Sequence, residues 1–461
     1  MQKTVTPTLQ TEKLPLKEKI AYGMGDLGNN FLYDLGQIYL LKFYTDIMGL
    51  PAVMAGLVFL VTKLFDAFAD ISVGTWVDSR KRGIGGKFRP FMIYGALPLG
   101  LMTIVSFINP GFATHGNLYW AYFTYMLFGL LYSIVNIPYG SMASSMTQDP
   151  NERAQLGSFR QAGSNAGLLI TTVAFIPIVN MFSNHATGYL AAATFFAICG
   201  TLIFIYSAKN INERVVVEKA KEAKVSIGKS FAGLLKNKPL IILCFINLLT
   251  FSAFNVKLAV QVYYCQYVLK DISILPYMGF FSIGCVFLGV AAVPAMVRRF
   301  GKKGTYMMGC AIWAVGDILN FVFSSTTFSF IALSCVAFFG TAFVNSLNWA
   351  CVADAVEYGE WKTGNRSEGI VYSSFTFFRK TSSALAGFLP GVVLGYTGYV
   401  ANAVQSASAV AGIKGLMFLY SGTLVIVAIF VMGLWYPLSD KRYREILAEL
   451  IQRKTNNTIE S

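Results

Sequence analysis

Asp66 and Asp70 stand four residues apart in the segment FDAFAD, which places both carboxyls on one face if the segment is helical. Such a pair can share a monovalent cation, or one carboxyl can hold a proton because its neighbour's charge opposes ionisation. The plainer reading is a structural salt bridge to another helix. Upstream, YGMGDLGNNFLYDLG sets Asp26, Asn30 and Asp34 at four-residue intervals with Asn29 alongside. This stripe can line a polar cavity or serve as hydrogen-bonding glue between helices. Gly23, Gly25 and Gly28 fit either role. Basic groups complete the inventory: Arg160 in LGSFRQAG, Lys257, and the adjacent Arg379 and Lys380. Arg160 can bind a solute or reach for the membrane surface. Lys380 needs a partner, and pairing with Asp66 or Asp70 when the cation is absent is the simplest expectation. Arg379 points about 100° away from it. Trp349, in a patch with Asn345 and Asn348, offers an aromatic face for a sugar ring.

The elements that position these groups must lie in lipid. The 461 residues are 55% hydrophobic and only 13% charged, with a mean hydropathy of +0.55, too apolar for a water-facing surface. Apolar runs predict twelve spans near 20–44, 52–77, 91–109, 118–146, 156–182, 187–207, 239–268, 273–297, 305–323, 328–353, 369–396 and 415–437. At lipid depth each aspartate costs about 2.5–3.5 kcal/mol on insertion scales, so the acids and bases above are functional candidates by default. Pro138, two residues after Asn136, predicts a kink in span four.

The net charge of +14 is a matter of topology, not of a nucleic-acid partner. Arg80, Lys81, Arg82, Lys87 and Arg89 follow span two, and Arg298, Arg299, Lys302 and Lys303 follow span eight. The opposite loops carry almost no Lys or Arg, apart from Lys270 and Lys414. The positive-inside rule therefore predicts cytoplasmic termini and an inner-membrane protein whose uncleaved first span serves as the insertion signal. The expected organisation is a cytoplasmic segment 1–19, a six-helix bundle 20–207, a Lys-rich cytoplasmic linker 208–238, a second six-helix bundle 239–437 and a cytoplasmic tail 438–461. A faint echo between GTWVDSRKRGIGGKFRP and AMVRRFGKKG suggests duplicated halves, an architecture that places solutes near the bilayer midplane. The seven cysteines show no C-x-x-C spacing, and His115 and His185, the only histidines, sit in outward loops. No metal-ligand cluster or catalytic constellation is visible, so an enzyme is not expected.

Taken together, the YGMGD opening, FYTDIMGL, FDAFAD with GKFRP, NIPYGSM and VADAVEYGEWKTGNR resemble the glycoside, pentoside and hexuronide cation symporters of the major facilitator architecture, typified by the melibiose carrier. The resemblance spans nearly the whole chain. It implies cation coordination by Asp66 and Asp70, a linking role for Lys380 and a solute contact for Arg160. Where the melibiose carrier has carboxylates, this chain has Asn30 and Asn136, so Asn136 can give the cation only a carbonyl oxygen. The more electropositive pocket favours an anionic solute such as a uronide, a glucuronide or a sulfonated sugar like sulfoquinovose. A neutral glycoside or pentoside remains an alternative because amides bind hydroxyls, as do export of a small organic acid and solute sensing without transport.

The expectation is therefore a monomeric, all-α secondary transporter without cofactor, coupled to Na+ or H+. Asp66, Asp70 and Asn136 would serve the cation. Asp26, Asn29, Asn30, Arg160, Trp349, Arg379, Lys380 and Lys257 would serve the solute. Charge pairs among Asp354, Glu357, Glu360, Arg366 and basic-loop residues such as Arg298 would form a gate, or be ordinary surface charge.

Overall fold

A computed structural model describes residues 13–80, 83, 85–147, 149–214, 237–323, 326–364 and 368–460. The elements are α1 (Leu16–Ile38), α2 (Ala52–Ser79), α3 (Arg89–Ser106), α4 (Thr114–Met146), α5 (Pro150–Asn180), α6 (His185–Asn210), α7 (Lys238–Tyr263), the run Ile274–Phe323 that holds α8 and α9, α10 (Thr327–Thr363), α11 (Glu368–Tyr396), α12 (Ala407–Trp435) and α13 (Asp440–Glu460). Gly301, at φ 71° and ψ 172°, divides α8 from α9. Nine runs are long and apolar enough to cross a membrane among the described residues, and Ile274–Phe323 is one of them at 50 residues, twice a normal span. The two remaining spans, α1 and α11, are the ones that carry Asp26 and Asp34 and Arg379 and Lys380. The expected all-α architecture of twelve membrane helices is thereby met.

The helix surfaces invert the water-soluble pattern. Phe68, Phe123, Leu202, Leu288, Phe430 and Leu434 are exposed, while Asp26, Asp66, Lys257 and Asp317 are buried. Helix starts follow local capping chemistry. Asn184 Oδ1 accepts from the Ala186 N–H at 2.9 Å to open α6, and Asn237 Oδ1 accepts from the Leu240 N–H at 3.2 Å to open α7. The Glu213 carboxylate accepts from the N–H groups of Lys87, Phe88 and Arg89 at 2.8, 2.8 and 3.1 Å, where α3 begins.

The chain forms two compact units: Met1–Leu50 with Leu64–Ala220, and Pro51–Lys63 with Lys221–Ser461. The first turns of α2 thus belong with the second unit, against α11, where a Cβ on Gly391 would lie 2.5 Å from the Ala52 carbonyl oxygen. In the first unit α1 packs against α5 and α6. Its seam with α5 depends on small residues, since a Cβ on Gly163 would come within 2.0 Å of the Gly23 carbonyl oxygen. The core of the second unit is built from residues such as Leu243, Tyr306, Trp313, Val344 and Met432.

Spans one and seven end alike. Phe43–Ile47 and Tyr264–Val268 are both π-helical turns. In the first, Met48 N–H donates to the Phe43 carbonyl (3.0 Å) and Leu50 N–H to that of Tyr44 (2.9 Å); in the second, Leu269 donates to Tyr264 (3.1 Å) and Asp271 to Cys265 (3.0 Å). Gly49 (φ 70°) and Lys270 (φ 58°) occupy the same left-handed position. This shared stop is a far sharper trace of duplicated halves than the echo in the basic loops. Carried back along the helices, its register aligns Asp26 with Asn247, Asn29 with Thr250 and Asp34 with Asn255.

The linker expected at 208–238 falls mostly outside the described residues, which resume at Asn237 after Arg214. The tail expected at 438–461 is largely the helix α13.

Candidate functional site

The first unit gathers the polar residues of α1, α2, α4 and α5. The Arg160 guanidinium on α5 is clamped by Asp26 on α1, with Nε 2.6 Å from Oδ2 and Nη2 3.3 Å from Oδ1. Such a two-point pair fixes the plane of the guanidinium as well as its position. Tyr139 and Tyr22 lie beneath it, with ring centroids 4.8 and 5.8 Å from Cζ. Tyr139 is held in turn, its hydroxyl donating to the Tyr22 carbonyl at 2.6 Å. Arg160 is thus drawn inward to a carboxylate instead of outward to the membrane surface.

Asn29 connects α1 to α4, with Nδ2 3.1 Å from both Asn136 Oδ1 and the Tyr132 hydroxyl. Its own Oδ1 is buried without a hydrogen-bond partner. Tyr132 packs on Tyr33 at a centroid distance of 4.8 Å. Asn30 turns back along α1 and donates from Nδ2 to the Asp26 carbonyl at 2.7 Å. Its Cβ lies where a side chain on Gly167 would sit, 2.9 Å away.

Asp66 is buried against Gly129 on α4, and a Cβ there would sit 2.0 Å from Asp66 Oδ1. One turn further along α2, Asp70 Oδ1 lies 2.5 Å from the Ser133 hydroxyl, which is also 3.0 Å from the Gly129 carbonyl. The two acids therefore face the same stretch of α4, Gly129 to Ser133, as their spacing predicts. Asn136, expected beside them, has its carbonyl oxygen engaged by Asn29. Carboxylate, hydroxyl and amide oxygens of this kind suit a hard monovalent cation, and a carboxyl alone suits a proton. Among the described residues no group of three or more His, Cys, Asp or Glu that could hold a metal ion is present.

In the second unit, the Arg379 guanidinium lies over Phe251 (4.1 Å) and Trp349 (5.4 Å), and Trp349 packs with Tyr372 (6.2 Å) and Phe375 (5.3 Å). Trp349 remains 38% exposed, so part of its ring is accessible. Lys380 is half-buried one residue on. Lys257 departs from expectation. It is sealed in an ion pair with Asp317 on α9, whose second oxygen accepts from Trp313 Nε1 at 3.0 Å. With 1% and 0% of these side chains exposed, Lys257 belongs to the core of its bundle and not with groups presented to a solute.

Two of the residues read as a gate, Asp354 and Glu357, find partners within this unit. Asp354 accepts two 2.7 Å contacts from Lys302 Nζ. Glu357 accepts from the Tyr443 hydroxyl at 2.5 Å. Glu360 is buried. Arg298 lines a cleft of about 540 Å³ with Asp440 and Arg444. Arg366 lies outside the described residues. Sequence reasoning missed Gly129, Tyr132, Ser133 and Tyr139, which form one stripe on α4 with Asn136. It also missed Asp317, whose acid in the apolar stretch AVGDILN was a legible signal.

Membrane helices that bring acids, amides and the Asp26-clamped Arg160 together in the first unit are what a carrier of the major facilitator class requires. Residues 21–440 match the family described as MFS/sugar transport protein, and the chain belongs to that family: it is a multi-pass membrane transporter and not an enzyme. It is 51% identical over 445 residues (96% of this chain, 95% of the relative) to an Escherichia coli (strain K12) protein named "Putative sulfoquinovose importer". It is 50% identical over 448 residues (96% and 97%) to a Salmonella typhimurium (strain LT2) protein named "Putative 2,3-dihydroxypropane-1-sulfonate exporter". A "Glucuronide carrier protein homolog" of Escherichia coli (strain K12) is 37% identical over 454 residues (96% and 97%). Similar solved structures share the fold at low identity. They include the nucleoside transporter NupG (TM-score 0.62, 11% identity, 92% of this chain and 99% of that one) and a bacterial homolog of the human lysosomal transporter Spinster (TM-score 0.65, 14% identity, 91% and 96%).

Proposed function

We propose that this protein is a cation-coupled carrier of a small anionic sugar derivative, and specifically of an organosulfonate. It would act in the inner membrane with both termini in the cytoplasm, as the distribution of basic loops supports. The observation that carries the reading is the Arg160 clamp. Asp26 engages the Nε proton and one from Nη2, and guanidinium protons outside that pair can meet acceptor oxygens of a solute. A guanidinium held in this way is suited to a sulfonate or carboxylate. Sulfonated solutes appear in the names of relatives 51% and 50% identical to the chain. Those names divide between import and export, and the same carrier runs either way as its gradients dictate.

Asp66 and Asp70, facing Gly129 and Ser133, are the coupling site in this proposal. Sodium or a proton neutralises them and permits the solute-loaded carrier to change state. The deciding experiment is uptake by proteoliposomes of radiolabelled sulfoquinovose, a glucuronide and melibiose, each under an imposed sodium or proton gradient. Accumulation of the sulfonated sugar, driven by one gradient and not competed by melibiose, is expected. Uptake of neutral galactosides without any of the anions would overturn the proposed solute class. Binding without flux would make the protein a sensor.

A further inference from the structure

Asp34, four residues before the end of α1, is a buried acid of the first unit that the coupling site does not use. Its side chain is 8% exposed, its Oδ2 is sealed without a hydrogen-bond partner, and it makes no ion pair among the described residues. The other charged groups of α1, apart from the exposed Lys17, are paired. Asp26 holds Arg160, Glu18 holds Arg214, Lys19 holds Glu152, and just beyond the helix Lys42 holds Asp46.

Helical spacing sets Asp34 on the α5 side. Gly23, Leu27 and Asn30 meet Phe159, Gly163 and Gly167 in turn, and Asp34 follows on the same stripe. The next turn of α5 carries Thr171, whose hydroxyl is also buried without a partner. From Arg160 to the end of α5 there is no further ionisable residue. On α6 the titratable groups are His185, Tyr189, Cys199, Tyr206 and Lys209. Around the same stretch stand Tyr33 of α1, Tyr39 and Tyr44 just beyond it, and Tyr125 and Tyr132 of α4. Arg89 of α3 donates to the Ala208 and Lys209 carbonyls. Among the described residues no cation pairs with Asp34, and a bare carboxylate at this depth is strongly disfavoured.

The duplicated architecture indicates what is tolerated there instead. Asn255, in register with Asp34, donates from Nδ2 to the Phe251 carbonyl four residues earlier at 2.8 Å. A carboxylic acid has an O–H that can make that bond to the Asn30 carbonyl, and a carboxylate has no donor.

We infer that Asp34 is a proton-binding site separate from the Asp66–Asp70 pair, occupied at neutral pH and discharged only when the seam between α1 and α5 opens during transport. An aqueous proton forms the O–H bond on the carboxylate, and release to water breaks it. No other reactant is needed. The link to transport rests on the proposed symport, while the proton site itself does not.

Infrared difference spectra of the purified protein at neutral pH, without solute, test the site directly. Wild type should show a carboxylic-acid carbonyl band that Asp34→Asn removes. An unchanged band overturns the inference. If Asp34→Asn does not fold, Asp34→Glu should move the band, and a band that stays in place has the same overturning force. With sulfoquinovose in proteoliposomes, Asp34→Asn should cut proton-driven accumulation by about tenfold or more, one pKa unit's worth of coupling, while leaving solute counterflow unchanged. A parallel fall in counterflow would make Asp34 a packing residue and end the claim. Should sulfoquinovose not be carried at all, the solute proposal fails while the infrared result still decides Asp34.

Discussion

Arg160 and Asp26 are joined by two N–H···O contacts of 2.6 and 3.3 Å across the seam between α5 and α1. The pair fixes the guanidinium plane, so the unused N–H groups are presented in one direction and not as a mobile charge. Lysine in place of Arg160 keeps the charge and loses the fork. Arg160→Lys is therefore expected to weaken solute binding by about tenfold or more, the worth of one lost charge-assisted hydrogen bond. Titration calorimetry on the purified protein with sulfoquinovose would measure it, and affinity equal to wild type would show that Arg160 does not meet the solute.

Gly129 makes a second, sharper test, because it is defined by contact with Asp66, an acid of the proposed cation site, and not with the solute. A methyl group there would lie 2.0 Å from Asp66 Oδ1, so Gly129→Ala must push the carboxylate away. Misplacing a reacting group by ~1 Å typically costs on the order of a hundredfold. Gly129→Ala is expected to raise the cation concentration needed for half-maximal uptake by about tenfold or more, with solute counterflow preserved. Replacing both Asp66 and Asp70 by Asn should abolish gradient-driven accumulation. Concentrative uptake surviving in the double variant would remove the coupling role from this pair.

The acids of α2 and the stripe of α1 were legible because helical periodicity alone puts Asp66 with Asp70 and Asp26 with Asn30, and lipid makes any buried charge conspicuous. Their partners were harder to see. Gly129, Tyr132 and Ser133 lie at the right spacing on α4, but small and aromatic residues are common in membrane helices, and nothing local marks which face meets α2. Lys257 and Asp317 were each visible as charges in apolar runs. Matching them needed the ion pair that joins α7 to α9, a contact between distant segments that no local spacing encodes. The basic stretch RRFGKKG read as a loop, yet the backbone leaves helical geometry there only at Gly301. In that case one residue free to take positive φ does the work of a connection.

The Lys257–Asp317 pair predicts a stability effect without a functional one. Both side chains are essentially sealed, so removing one partner strands a charge in the core. Lys257→Met alone is expected to destabilise the protein by about 3–5 kcal/mol. The double variant Lys257→Met with Asp317→Leu removes both charges and should recover most of that loss. Thermal unfolding in detergent would show the pattern, and solute affinity in the double variant should match wild type. A large loss of affinity at full stability would return Lys257 to the solute site.

Glu18, at the start of α1 and in the stretch 1–19 expected to precede the first span, supplies a pH prediction. Burial alone would raise its pKa, but hydrogen bonds from Arg214 at 2.6 and 2.7 Å and from Asn212 at 3.2 Å, together with the Arg214 charge, outweigh it and hold the carboxyl below its usual 4.5. A depressed carboxylate pKa stabilises the folded state above the unfolded value, and that contribution fades as pH falls through the folded one. Glu18→Gln keeps an acceptor for Arg214 and deletes the titration. The melting temperature of wild type should therefore exceed that of Glu18→Gln at about pH 6, and the gap should close on acidification to about pH 3 as Glu18 takes up its proton. Other carboxylates titrate in both proteins and cancel in the difference. A gap that stayed constant with pH would mean that Glu18 acts through shape alone, and that the Arg214 charge contributes nothing to anchoring the start of α1.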